Sequence, residues 1–189
     1  MSNPQSLAPL LTAILMLIAM NSSPGQEPLP SSAPAITIKI KGFQIGMQFD
    51  DAVTAANELS KKIGSDTSAV IDKERHWITV KQKTLIFGVA SDLTLVDVEA
   101  DPQTHKVTYL KFSKKAFNAG DLPIEAFVEN LVKAYQLPRL TSKVVKNELI
   151  NEYGTIYEGF SDSGFSININ DWVGLELRSI PAKNQRAFD

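Results

Sequence analysis

Three groups of residues have types and spacings that could support chemistry. Gly42 and Gly46 bracket "GFQIGM" just ahead of a periodic apolar segment, where a phosphate-cradling loop would stand. Asp92, Asp97, Glu99 and Asp101 gather in one short stretch. On a strand, residues 97, 99 and 101 would share a face, so their oxygens could hold a divalent cation. His76 follows Glu74 and Arg75 and precedes Trp77, and His105 is the only other imidazole.

Each group also has a plainer reading. A dinucleotide loop needs G-x-G-x-x-G because all three glycines have steric tasks, and here Gly42 and Gly46 make only G-x-x-x-G. A P-loop needs Lys and then Ser or Thr after its last glycine, where this chain has Met47 and Gln48. The stretch is therefore expected to be a strand-to-helix corner, with Gly46 supplying a backbone conformation costly for other residues. The acidic spacing is not that of an EF-hand, and Asp alternating with Val simply keeps one strand face wet. No G-x-S-x-G elbow accompanies His76, and "SDSGFS" reads as a hairpin turn. Both histidines read as surface or partly packed residues, and no metal or cofactor is expected.

Composition narrows the classes further. Lys plus Arg is 19 against 21 Asp plus Glu, a net charge of −2, without the basic bias of a nucleic-acid binder. The chain has no cysteine, which excludes disulfides, a thiolate nucleophile, Cys-based zinc sites and a lipidated cysteine anchor. "LAPLLTAILMLIAM" (Leu7 to Met20) is uncharged and too short for a span of about 20 residues, so it suits a signal peptide. An uncleaved N-terminal anchor is the other reading of that run. Export without disulfides points to a bacterial periplasmic or secreted protein.

The elements that must position these residues follow from periodicity. "ITIKIKG" (36–42) alternates like a strand; Phe49, Ala52, Val53, Ala56, Leu59 or Ser60, and Ile63 recur at helical spacing, and Gly64 follows as a stop. Strand-like runs come next: "AVID", "HWITVKQ", "TLIFGVA", "LTLVDVEA" and "KVTYLKFS". A second helix is expected in "DLPIEAFVENLVKAYQLP", with Ile124, Phe127, Val128, Leu131 and Tyr135 as its apolar stripe. "RLTSKVVKNELINEYG" fits a strand or a helical connector, and "TIYEGF", "FSININ" and "VGLELRSI" close the chain as strands.

The expected organisation is a signal peptide over 1–25, a Ser/Pro-rich lead-in over 26–35 and one α+β domain over 36–189. That domain would consist of two helix-plus-antiparallel-sheet units. The halves, 36–116 and 117–181, follow a similar element order at low identity, so tandem repetition and unrelated halves both fit.

The pattern G-x-x-I-G-M leading into F-D-D-A-V over residues 41–53 resembles the start of helix–sheet repeats in the beta-lactamase inhibitory protein fold. The small outer-membrane assembly lipoproteins of the SmpA/OmlA type share that fold. The resemblance implies an architecture and a habit of binding other proteins, with no catalytic residue to carry over.

In such an architecture the helices cover one sheet face and leave the other open. Trp77, Tyr109, Tyr157, Phe160 and Trp172, with Tyr153, lie on or beside expected strands and could form a protein-binding surface there. The alternative is that most of them are core. The expected function is a non-catalytic exported binding or accessory module that engages another envelope or extracellular protein, without stable membrane insertion once the leader is cleaved. The rival expectation is a hydrolase whose site is assembled from scattered acidic residues.

Overall fold

A computed structural model describes residues 38–180. The expected leader and lead-in lie outside these residues, as does the start of "ITIKIKG". Among the described residues the fold is α+β: one eight-stranded antiparallel sheet and two α-helices. Helix α1 spans Phe49–Ile63 and is followed by β1 (Thr67–Asp72), β2 (Trp77–Ile86), β3 (Val89–Ala100) and β4 (Val107–Phe112). A 3-10 turn, Lys114–Phe117, leads towards helix α2, Ile124–Tyr135. Then come β5 (Thr141–Asn147), β6 (Glu152–Ser161), β7 (Phe165–Asn170) and β8 (Gly174–Ser179). The strand order is β1-β2-β3-β4-β8-β7-β6-β5, so two four-stranded meanders meet at β4 and β8.

Both helices bury their apolar stripes in one core. Phe49, Ala52, Ala55, Ala56 and Leu59 of α1 join Ile124, Phe127, Val128 and Leu131 of α2 against Val80, Val98, Leu110, Ile167 and Leu177 of the sheet. Asp50 and Asp51 occupy the first turn of α1 and Lys61 and Lys62 its last, each sign complementing the helix dipole. At the central seam Leu110 lies opposite Leu177 and Phe112 opposite Leu175. Gly174 is required there: a β-carbon would stand 2.2 Å from the Phe112 carbonyl oxygen, and its φ is +94°.

The glycine corner is structural. Gly42 and Gly46 have φ of 96° and 83°. The chain between them and α1 is pinned to the start of β4. The Gly46 amide donates to the Val107 carbonyl, Val107 donates to Met47, and Phe49 donates to His105. Phe43 is fully buried, while Ile45 and Met47 are half-buried.

Three expectations about strands need correction. Ile40 and Phe43 form only an isolated bridge about the Lys41–Gly42 turn, so the described end of "ITIKIKG" is a tight turn outside the sheet. "TLIFGVA" is not a strand but the end of a hairpin. Ile86 pairs with Val89, and Phe87 and Gly88 form the turn with φ of 50° and 79°. The expected strands "TLIFGVA" and "LTLVDVEA" are not separated at their junction either, because Ala90, Ser91 and Asp92 continue β3. The ambiguous stretch resolves into β5 and its turn.

Candidate functional site

Strand alternation and register decide which side chains face away from the helices. From β1 to β6 one row on that open face reads Asp72, Trp77, Glu99, Tyr109, Arg178, Ser166 and Phe160, each opposite the next. The neighbouring row reads Val70, Thr79, Asp97, Lys111, Glu176, Asn168, Glu158 and Thr141, crossing the whole sheet. With strands about 4.8 Å apart, Trp77 and Phe160 stand roughly 24 Å from each other along the first row.

Polar contacts link side chains across and beside these rows. The Tyr109 hydroxyl donates to Glu176 Oε1 at 2.6 Å, and the Arg178 guanidinium lies 4.6 Å from the Tyr109 ring centroid. Burial holds the Tyr109 phenol well above its ordinary range, and the hydrogen bond and charge of Glu176 push the same way, while Arg178 opposes them. Thr79 donates to Asp97 at 3.0 Å, and Lys143 pairs with Glu158 at 2.7 Å. Tyr109 is only 8% exposed under this cover, whereas Trp77 is 40% and Phe160 52% exposed.

Trp172 joins the same face by another route. It sits in the β7–β8 turn, where the Asn170 side chain accepts from the Trp172 and Val173 amides. Its indole lies over Gly154, where a β-carbon would come within 2.6 Å of the ring. Tyr157 departs from the set. It lies opposite the buried Ile169 and packs against the core on the helix-covered face, where burial and then Glu125 and Glu129 of α2 hold its phenol up. Tyr153 is exposed on that side of β6.

The acidic stretch does not converge. Asp97 is engaged by Thr79, and Asp92 stands opposite Lys83. Asp101 has left the strand and accepts from the Gln103 and Thr104 amides and the Thr104 hydroxyl. Those bonds hold its carboxyl below the usual range. Among the described residues no group of three or more His, Cys, Asp or Glu side chains is placed to hold a metal ion.

Sequence reading did miss one pairing. His76 Nε2 and His105 Nδ1 lie 2.7 Å apart and share a hydrogen bond, and the His76 ring packs on Phe49. They line a hollow of about 240 Å³ with Gln48, Asp50 and Lys73. Both have left-handed backbone conformations in tight turns, but nothing in their sequence positions couples two turns 29 residues apart.

No protein-family model, curated protein or solved structure matches the chain. Among the described residues no helix is long and apolar enough to cross a membrane.

Proposed function

We propose that the protein is an exported, non-catalytic binding or accessory module whose open sheet face engages another envelope or extracellular protein. One observation carries this reading. Trp77, Tyr109 and Phe160 stand in a single row on the face away from the helices, interleaved with Glu99 and Arg178 and flanked by a charged row. Aromatic and arginine side chains with a polar surround are what protein interfaces concentrate at their energetic centres. The helix–meander order repeated about the β4–β8 seam supports a tandem repeat of the beta-lactamase inhibitory protein type.

The test is site-specific photo-crosslinking in the producing organism. A crosslinker at Trp77 or Phe160 should capture one defined partner, and a crosslinker at exposed Glu58 on α1 should not. Equal yields from both faces, or none from the open face, would refute the assignment.

A further inference from the structure

The tip of the β2–β3 hairpin has no role in the open face, and its chemistry is unusual. The last bond on the β1 side runs from the Lys83 amide to the Asp66 carbonyl, and the last on the β4 side from the Ser113 amide to the Leu95 carbonyl, so beyond these the two strands continue as a free ribbon. From Thr84 to Ser91 the ribbon carries no charged side chain. Leu85, Ile86, Phe87 and Val89 are all exposed. By alternation Leu85 points to one side of the ribbon, and Ile86 and Val89 to the other, so the tip is apolar all round.

Phe87 breaks a local rule without visible compensation. A two-residue turn with positive φ at both central positions favours Asn-Gly or Gly-Gly, because a β-carbon at the first is strained. Here a phenylalanine holds φ of 50° and is fully exposed, so packing does not stabilise it there. Residues that violate local preference without a packing gain point to function.

The base of the ribbon supplies charge. A hollow of about 490 Å³ beside Gln82 and Leu95 is lined by Lys41, Lys62 and Lys115, against the single carboxylate of Glu58. From Lys83, the last residue bonded to the β1 side, to Ile86 the ribbon extends roughly 10 Å. That length crosses a headgroup layer of about 5–8 Å and reaches the acyl boundary. The unpaired edges of the ribbon limit it to that depth, since lipid core cannot satisfy backbone groups.

We infer that this hairpin docks the protein peripherally on an anionic phospholipid surface, with Leu85, Ile86, Phe87 and Val89 entering the interface and the lysine-lined hollow receiving a lipid phosphate. A protein groove would contact one side of the ribbon, whereas a lipid interface accommodates an apolar tip from every side. The second long hairpin, β5–β6, is a natural control: its exposed Leu149 and Ile150 stand among Lys146, Glu148 and Glu152.

Because the chain has no cysteine, Val89→Cys in the full-length protein gives one labelling site for an environment-sensitive dye. With phosphatidylglycerol vesicles the label should shift to an apolar environment. Adding Phe87→Asn should raise the lipid needed for half the signal by about tenfold or more, as loss of one buried phenylalanine implies. Thermal stability should be unchanged or higher, since Asn-Gly suits the turn. Neutralising Lys41, Lys62 and Lys115 to Gln should weaken binding by about fivefold per lysine. A dye on Leu149→Cys should stay aqueous. A label at 89 that stays aqueous at saturating lipid, or a half-signal unmoved by Phe87→Asn, would overturn the inference. So would a shift produced by raising protein concentration without lipid, or competition by millimolar inorganic phosphate.

Discussion

The two halves of the sheet reach the same layering by opposite packing. Helix α1 buries alanines, Ala52, Ala55 and Ala56, and Gly42 approaches so closely that a β-carbon would lie 3.3 Å from that of Ala55. Helix α2 buries Ile124, Phe127, Val128 and Leu131, and Phe127 continues a chain of ring contacts through Phe117 to Phe112 and Tyr135. Side-chain size at the contact sets how near a helix can lie, so α1 depends on leaving no room and α2 on filling it. The entries differ too. A two-glycine corner fastened to β4 leads into α1, whereas Pro123 stands at the N-cap of α2. Repeated order therefore does not require repeated chemistry.

The contrast can be broken most directly in the second half. Phe127→Ala should lower stability by about 3–5 kcal/mol, since it removes a fully buried ring and leaves a cavity. Chemical denaturation with a loss below about 1 kcal/mol would show that α2 does not depend on large side chains. The first half should fail in the opposite direction. Ala56→Leu, at a position with no exposed surface, should cost about 1–3 kcal/mol by overpacking. If that variant matched the wild type, the close approach of α1 would not be a constraint.

A smaller effect is expected at the corner. Gly46→Ala should cost about 1 kcal/mol, because φ of +83° disfavours a β-carbon even though nothing stands within 4 Å of it. Nucleotide or inorganic phosphate should not raise the melting temperature of the wild type. A nucleotide-dependent rise that disappears in an equally stable Gly46→Ala protein would restore the phosphate-loop reading.

The smallest effect is alkaline and belongs to the seam between halves. Tyr109 on β4 is held above its usual value by burial and by Glu176 of β8, so the native state keeps a proton that the unfolded chain releases. Its contribution is complete below about pH 10 and declines as pH rises towards the native value. Denaturation midpoints measured between about pH 9 and 11 should fall less steeply for Tyr109→Phe than for the wild type. Identical slopes would mean that the phenol is not sheltered.

Local signals carried the helices and most strands. The stripe Ile124, Phe127, Val128 and Leu131 and the stop at Gly64 are legible because helix period and glycine backbone freedom act over a few residues. The corner at Gly46 was legible for the same reason. The hairpin end was not: Phe87-Gly88 lacks the usual turn dipeptides and sits among β-formers, so "TLIFGVA" reads as continuous strand. Facing was beyond reach as well. Tyr157 and Phe160 lie three residues apart on one strand, so alternation puts them on opposite faces, but only their register against Ile169 and Ser166 tells the covered face from the open one. The order that brings β4 beside β8, the row joining Trp77 to Phe160 and the contact of His76 with His105 all depend on long-range pairing. Periodicity records which residues alternate along a segment, but strand partners are chosen by burial of whole faces, and that choice exists only once the chain has closed on its core.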